Sequence, residues 1–185
     1  MVFSKEDIEI IHGIPPKLQP NTFVAIDTEW FGVDQKRVHR PTSGTFALMT
    51  VCFEPNKVYV ISDGKDIGKA LSNLEDAIWV IQDSKFDITH LRKLVEIKPR
   101  RRLWDTLLIE KILWGGYYDN FSLKHMARRY LGIILDKSVR ERFNDTGRVT
   151  GEMVRYACLD AVICYRIFLE QYKSWNRDVR RIWEI

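Results

Sequence analysis

The sequence has few cysteines and lacks any long run of apolar residues. Its three cysteines, Cys52, Cys158 and Cys164, form no C-x-x-C pair, and apolar neighbours surround them. Such cysteines are typical of reduced core residues rather than of a disulfide framework or a zinc site, which indicates a cytosolic compartment. The N-terminus has no charged-then-apolar signal pattern, and no apolar run approaches membrane-spanning length. We therefore expect a cytoplasmic protein.

A strong excess of charge of one sign is also missing. The 185 residues carry a net charge of +4, with 45% hydrophobic and 29% charged residues and no internal repeat. This balance is ordinary for a globular domain, and the overall charge is a weak argument for a polyanionic partner. We expect a peripheral segment over residues 1–21, which glycine and proline interrupt, and then a single domain over residues 22–185.

Alternating strand and helix patterns predict an α/β fold. Strands are expected at residues 23–30, 45–54, 57–61, 77–82 and 101–104, and helices at residues 5–11, 66–74, 84–95, 106–114, 122–130, 136–143 and 151–176. Residues 31–43 are expected to form a loop. Three consecutive strands followed by alternating strands and helices predict a mixed sheet of about five strands, one of them antiparallel, flanked by helices.

Two carboxylates follow the first strand pattern. Asp27 and Glu29 come directly after the apolar residues 23–26, and because side chains alternate along a strand they emerge on the same face. Neighbouring carboxylates disfavour joint ionisation, and a cation between them relieves the repulsion; their oxygens suit Mg²⁺ or Mn²⁺. The alternative is a solvated strand end where both acids face water, and an isolated Asp-x-Glu pattern favours that alternative.

Two further acids lie on predicted helices. Asp87 falls in the first turn of a helix that follows a strand, where the helix dipole alone could account for it, and Asp83 is predicted to be the N-cap of that helix. Asp160 lies among apolar residues of the last helix, where a lone buried carboxylate is costly unless it is paired or bound to metal. No Lys or Arg occupies positions 156, 157, 163 or 164. Tyr156, four residues earlier, projects from the same face, although a surface Asp beside a core Tyr would give the same pattern.

The four acids together with Tyr156 have the chemistry of two-metal phosphodiester hydrolysis. In these motifs the sequence resembles the DEDD-type 3′–5′ exonucleases of the ribonuclease-H-like fold, subclass with tyrosine (DEDDy). The motifs are Asp27-Thr28-Glu29, residues 82–87 ending in Asp87, and Tyr156 through Asp160. The resemblance covers about residues 22–172 and looks closest to the proofreading exonuclease domain of family A DNA polymerases. Two departures are Asp83, where polymerase relatives usually carry Asn, and Trp30 after Glu29.

The resemblance implies an enzyme, a hydrolase with two divalent cations, Mg²⁺ or Mn²⁺. Asp27 would bridge both ions, Glu29 and Asp160 would complete the shell of the first, and Asp87 would hold the second through water. Tyr156 would orient the attacking water. The substrate would be the 3′ end of single-stranded or frayed DNA, and the products would be nucleoside 5′-monophosphates.

The resemblance also implies contacts with nucleic acid, from Thr28, Trp30, Gln82, Asp83, Phe86 and Arg128. Further candidates are aromatic residues for the bases and basic residues for the phosphates: Trp114, Tyr117, Tyr118, Lys36, Arg37, Arg40 and Arg129. For Trp30, stacking on the terminal base and packing in the core remain equally open.

Two other functions are compatible with the same motifs, an RNA-processing 3′–5′ exoribonuclease and a non-catalytic nucleic-acid or protein-binding module on this fold. Expected partners are 3′-end nucleic acid and a polymerase domain or other replication and repair proteins. The expected location is then cytoplasmic or nucleoid-associated.

Overall fold

Six strands form one mixed sheet at the centre of the protein. The computed structural model describes residues 8–32, 44–97, 102–135, 143 and 147–183, with side chains as far as residue 175. The sheet order is β1-β4-β3-β2-β5-β6, and only β3 runs antiparallel to its neighbours. The strands are β1 (Glu9–His12), β2 (Phe23–Phe31), β3 (Thr45–Glu54), β4 (Lys57–Ile61), β5 (Ile78–Ile81) and β6 (Leu103–Asp105). The predicted mixed sheet with one antiparallel strand is confirmed.

Helices cover both faces of the sheet. They are α1 (Ile67–Asn73), α2 (Ser84–Leu91), α3 (Thr106–Trp114), α4 (Leu123–Met126) and α5 (Gly151–Trp183). A 3₁₀ turn (Gly64–Asp66) precedes α1, and α4 continues as a π-helical turn over Ala127–Leu131. At the start of α5 the Met153 N–H donates to the Thr150 hydroxyl at 3.3 Å. Within the described residues, no helix is both long and apolar enough to cross a membrane.

The prediction of a helix at residues 5–11 is wrong where the structure describes the chain. Glu9–His12 is instead an edge strand parallel to β4. The Glu9 N–H donates to the Asn56 carbonyl at 2.8 Å, and the Gly13 N–H donates to the Val60 carbonyl at 3.0 Å. This pairing provides partners for the backbone groups that β4 would otherwise expose at the sheet edge. The gain from these hydrogen bonds outweighs the local preference of the segment for a helix. The boundary at residue 21 stays a prediction.

Predictions for one helix and for the segments around residues 31–43 and 136–143 also need comment. The helix expected over residues 84–95 ends earlier, at Leu91. The loop expected over residues 31–43 lies largely outside the described residues, and so does the helix expected over residues 136–143, apart from Phe143.

The two sheet faces carry separate cores. On one face, Ala25 and Leu48 pack in a cluster with Ala157 and Ala161 of α5. On the other face, the cluster contains Val24, Ile26, Met49, Ile67 and Leu91, which brings in α1 and α2. Because side chains of β2 alternate, odd-numbered residues point towards α5 and even-numbered residues towards α2.

Candidate active site

Asp27 and Glu29 lie near the end of β2, on the face that α5 covers. Ala25, two residues before Asp27, shares a cluster with Ala161, the neighbour of Asp160. The helix α5 packs against β2, and burial, with a smaller contribution from the charge of Asp27, raises the pKa of the Cys158 thiol to about 12. The acids of β2 and α5, more than 130 residues apart in sequence, therefore approach the same sheet–helix interface.

Asp87 reaches the same strand from the opposite side. Its Oδ1 accepts hydrogen bonds from the Thr28 N–H at 2.9 Å and from the Thr28 hydroxyl at 2.6 Å. Burial raises the pKa of Asp87 to about 7, against the opposing effect of both Thr28 bonds and with a smaller contribution from the charge of Asp83. A buried carboxyl group with a pKa near neutrality is a marker of functional sites.

The four acids offer the oxygen donors that Mg²⁺ and Mn²⁺ prefer. Oδ2 of Asp27 and Oδ1 of Asp160 are buried and accept no hydrogen bond from the described residues, although both residues make other interactions. This donor set fits a divalent cation. Within the described ranges, no three His, Cys, Asp or Glu side chains are close enough together to hold an ion. Repulsion between carboxylates opposes a tighter arrangement without added positive charge.

Tyr156 lies one turn before Asp160 and is buried in a small cluster with Ala47, Phe143 and Met153. Ala47 reaches this cluster through a bulge, because Glu29 pairs with Leu48 whereas Trp30 pairs with Phe46. Bulges commonly re-aim side chains beside active sites. Here the bulge places Ala47 in the cluster of Tyr156, on the α5 side, and Phe46 against Trp30, on the α2 side.

Asp105, which is not among the residues predicted for the site, accepts hydrogen bonds at the starts of two helices. Its Oδ2 accepts from the Ser84 N–H at 2.8 Å and the Ser84 hydroxyl at 2.7 Å, at the start of α2. Its Oδ1 accepts from the Leu107 and Leu108 N–H groups, at the start of α3. The cap of α3 was detectable from an Asp just before a helical pattern. The link to α2 depends on the parallel pairing of β5 with β6 and has no local signal.

Asp83 occupies the N-cap position of α2, but the prediction that its side chain caps the helix is wrong. The backbone of Asp83 is left-handed, with φ of 59° and ψ of 60°, and its side chain accepts no hydrogen bond from the described residues at the helix start. The Ser84 N–H is already taken by Asp105. A left-handed conformation costs about 1 kcal/mol for a residue other than glycine. Strain of this kind clusters at functional sites.

The side chains of Thr28 and Trp30, two of the predicted contacts with nucleic acid, are buried. They are 3% and 4% exposed, and the Trp30 indole N–H donates to the Thr28 hydroxyl at 3.0 Å. Of the two alternatives for Trp30, the structure therefore favours packing. Asp83 and Phe86 are half-buried and Arg128 is exposed, and their contacts with a strand stay predictions.

An aromatic segment, residues 115–121, is tied to the end of β5 close to Asp83. The Gln82 side-chain amide donates to the Phe121 carbonyl at 3.3 Å and accepts from the Thr106 hydroxyl. Both polar atoms of this side chain therefore have hydrogen-bond partners within the protein. Within the segment, Tyr117 is 80% exposed. The segment therefore holds an exposed aromatic ring within a few residues of Phe121, which contacts Gln82.

Arg129, a candidate for phosphate binding, makes hydrogen bonds within the protein. Its guanidinium donates to Glu110 at 2.7 Å and to the Asn120 carbonyl at 2.9 Å, and it lies 4.3 Å from the Tyr118 ring centre. Lys36, Arg37 and Arg40 lie outside the described residues.

The chain is similar to a family of nucleases and to part of a DNA polymerase. The family model described as 3′-5′ exonuclease matches residues 6–171. The DNA polymerase DpoZ of Salmonella phage PMBT28 is 26% identical over 200 residues, which cover 94% of this chain and 30% of the polymerase. The chain thus spans less than a third of the length of this relative.

Solved structures share the fold. Brucella melitensis NrnC with bound Mg²⁺ has a TM-score of 0.72 at 19% identity, over 94% of this chain and 84% of that chain. The Trypanosoma brucei RNase D complex with RNA U12 has a TM-score of 0.63 at 15% identity, over 82% of this chain and 55% of that chain. The ribonuclease-H-like fold expected from the sequence is confirmed. Because the family model covers most of the chain, the chain belongs to the 3′-5′ exonuclease family of hydrolases.

Proposed function

We propose that this chain is a two-metal-ion exonuclease that removes nucleotides from the 3′ end of single-stranded or frayed DNA as nucleoside 5′-monophosphates. The observation that carries the proposal is the end of β2. The side chains of Asp27 and Glu29 lie on the sheet face that α5 covers, and α5 contains Asp160. Thr28, between the two acids, donates a hydrogen bond to Asp87 from its backbone N–H. Three distant parts of the sequence, β2, α2 and α5, thus carry the four candidate carboxylates, and α2 and α5 both pack against β2.

Asp27, Glu29, Asp87 and Asp160 are the residues that would hold the divalent cations. When bound, such cations stabilise charge on the phosphate in the transition state and lower the pKa of a bound water, which becomes the nucleophile. The Mg²⁺ bound in NrnC supports Mg²⁺ as one of the ions used. The residues themselves orient the donors and keep them partly shielded from bulk water, since Asp87 is buried and Asp27 and Asp160 are half-buried.

Tyr156 is proposed to orient the attacking water through its hydroxyl group. Its ring is held in the cluster of Ala47, Phe143 and Met153, one helical turn from Asp160. A fixed ring with a polar tip gives a hydrogen bond a defined direction. We expect Tyr156→Phe to lower turnover more than single-strand binding, and equal losses in both would contradict this role.

Contacts with the strand are assigned to exposed aromatic and basic side chains. Tyr117 offers a free ring face on which a base can stack, and Phe86 is half-buried in the first turn of α2. Lys124 and Arg128 are exposed on α4 and its π-helical continuation and can attract phosphates.

DNA is the favoured substrate because the phage relative is a DNA polymerase. RNA is the second candidate, because the T. brucei RNase D complex that shares the fold contains RNA. A proofreading role beside a polymerase domain belongs to the proposal in the same way, since the chain corresponds to 30% of that polymerase.

Matched DNA and RNA oligonucleotides, each labelled at the 5′ end, test the proposal. We expect stepwise shortening from the 3′ end with Mg²⁺ or Mn²⁺, faster on DNA, and none with chelator. Asp27→Asn should lower the rate by about 10³-fold with the fold retained. Asp76→Asn is the matched control, because this acid is exposed and precedes β5 at the end away from Gln82. Metal-independent shortening, or a wild-type rate in Asp27→Asn, would overturn the proposal, and faster RNA cleavage would select the second candidate.

A further inference from the structure

We propose that Trp30 and Thr28 form a hydrogen-bonded relay that positions the carboxylate of Asp87, which makes Trp30 a positioning residue for the exonuclease reaction. The inference rests on the proposed function of Asp87 as a metal ligand. Three contacts carry it: Trp30 Nε1 to Thr28 Oγ1 at 3.0 Å, Thr28 Oγ1 to Asp87 Oδ1 at 2.6 Å, and Thr28 N to the same Oδ1 at 2.9 Å.

Donor and acceptor chemistry fixes the direction of each bond. An indole N–H can only donate, so the Thr28 hydroxyl oxygen accepts from Trp30. The single proton of that hydroxyl then goes to Oδ1 of Asp87, which also accepts from the Thr28 N–H. Oδ1 is thus held by two donors from one residue of β2, and Oδ2 lies outside the relay. The indole therefore determines how the hydroxyl points, and the hydroxyl determines how the carboxylate is turned.

The surroundings of Trp30 keep the indole in one orientation. Its ring lies 5.4 Å from Phe46 and 5.2 Å from His90, and the Lys93 ammonium lies 5.0 Å from the ring centre. Phe46 is opposite Trp30 because of the bulge in β3, since an uninterrupted register would have placed Ala47 there. With cover from β3 and α2, the ring is 4% exposed. The indole N–H is consequently a fixed donor.

Through Thr28, the relay joins Asp87 to the stretch of β2 that also contains Asp27 and Glu29. Asp87 belongs to α2, and the side chain of an aspartate can rotate about two bonds. The bonds from Thr28 tie one oxygen to the strand, so that the remaining oxygen is oriented relative to the acids on either side of Thr28. Groups that orient metal-ligating carboxylates in this way typically affect metal affinity or activity by about 10–100-fold when they are removed.

The test uses Thr28→Val, which removes the hydroxyl but keeps the N–H; Thr28→Ser, which keeps both; and Trp30→Phe, which keeps an aromatic ring without its donor. Mn²⁺ binding is measured by calorimetry without nucleic acid, and kcat and KM are measured on a 5′-labelled DNA strand. We expect Thr28→Val to weaken Mn²⁺ binding and to lower kcat by about 10-fold each, with KM for the strand unchanged. Thr28→Ser should restore both values to within about 2-fold, and Trp30→Phe should change both in the same direction by about 3-fold.

The double variant separates a relay from general packing. If Trp30 acts through Thr28, adding Trp30→Phe to Thr28→Val changes Mn²⁺ binding no further, whereas independent effects multiply. Multiplying effects, or wild-type Mn²⁺ binding and kcat in Thr28→Val, would overturn the relay. If Trp30→Phe does not fold, the indole N–H signal of Trp30 in NMR spectra replaces it. That signal should shift in Thr28→Val and return in Thr28→Ser, and an unchanged signal would overturn the relay.

Asp87→Asn distinguishes failure of the relay from failure of the proposed function. Wild-type Mn²⁺ binding and cleavage in Asp87→Asn would remove the assignment of Asp87 itself. Loss of both in Asp87→Asn together with wild-type behaviour of Thr28→Val would remove the relay alone.

Discussion

Asp87 is a single carboxyl group on which burial and hydrogen bonding act in opposite directions. Burial disfavours the charged form, and the two bonds from Thr28 favour it. The balance leaves the pKa of Asp87 at about 7, compared with an ordinary value of 3.8. Folding without a cation therefore strengthens proton binding at this position.

Asp87→Asn should change how stability depends on pH. Because the folded pKa of Asp87 is raised, its contribution to the free energy of unfolding is fully present below about pH 4 and is lost as the pH rises to about 7. The variant lacks this loss, so its stability relative to wild type should increase by about 2–4 kcal/mol between pH 4 and pH 8. Urea unfolding in chelator at several pH values measures the difference, and parallel pH profiles would contradict the prediction.

At the residue scale, the sequence motifs located the acids but not their surroundings. Asp27, Glu29, Asp87 and Asp160 could be proposed as a set because they stand in short motifs that resemble those of a known family, and such motifs are local properties of the chain. The burial of Trp30 was not identifiable, because it depends on Phe46 across the strand pair and on His90 and Lys93 of the α2 region. A large aromatic side chain such as Trp30 suits both stacking on a base and packing in a core, so the residue type alone does not distinguish the two roles.

At the scale of elements, capping by Asp105 joins the starts of α2 and α3. Its two oxygens accept four hydrogen bonds, two from Ser84 and one each from the Leu107 and Leu108 N–H groups. Because α2 carries Asp87, Asp105 also contributes to the position of the site.

Asp105→Ala should therefore cost more than the loss of an ordinary cap. We expect a decrease in the free energy of unfolding of about 2–4 kcal/mol, roughly twice the usual value for one cap. Asp63→Ala is the matched control, since among the described residues its side chain accepts one hydrogen bond, from the Lys65 N–H at 2.9 Å in the exposed 3₁₀ turn, and the change should cost about 1 kcal/mol or less. Equal losses measured by chemical denaturation would show that Asp105 caps one helix in effect.

A buried network connects α3, the π-helical turn after α4, and α5. Glu110 is fully buried and accepts hydrogen bonds from Arg129 at 2.7 Å, Tyr130 at 2.8 Å and Gln171 at 2.9 Å. The Trp114 indole N–H donates to the Tyr130 hydroxyl at 2.9 Å. These bonds compensate the burial of the Glu110 charge, and they fix Arg129 beneath Tyr118.

Glu110→Ala should destabilise the protein by about 3–5 kcal/mol, because it leaves the partly buried Arg129 charge without its carboxylate. Glu170→Ala removes an exposed partner of Lys173 and should cost no more than about 1 kcal/mol. Urea unfolding followed by circular dichroism compares the two variants. Similar small losses in both would mean that Glu110 contributes little net stability.

At the scale of the whole molecule, the three cysteines report on cooperative unfolding. Cys52 lies on β3, and Cys158 and Cys164 lie on α5; all three are buried free thiols. Burial raises the pKa of Cys52 and of Cys158 to about 12, and it raises the pKa of Cys164 well above its ordinary value. Thiolate, the reactive form, is therefore scarce at neutral pH.

We expect no labelling of the native protein by iodoacetamide at pH 8 over hours, and simultaneous labelling of all three thiols in urea. The reason is that the sheet and α5 share one core, so that exposing one thiol requires unfolding of both. Mass spectrometry counts the labelled thiols at each urea concentration. Rapid labelling of one cysteine in the native protein would contradict a single cooperative unit.

The sequence by itself determined the fold class and five of the six strands and singled out the candidate acids, since periodicity and short motifs are carried by neighbouring residues. Only the tertiary structure decided that Glu9–His12 is an edge strand, that Asp105 rather than Asp83 caps α2, and that Trp30 is directed at Thr28. Each of these depends on which polar group a backbone or side-chain donor meets. That choice is made between residues tens of positions apart, after the sheet has formed.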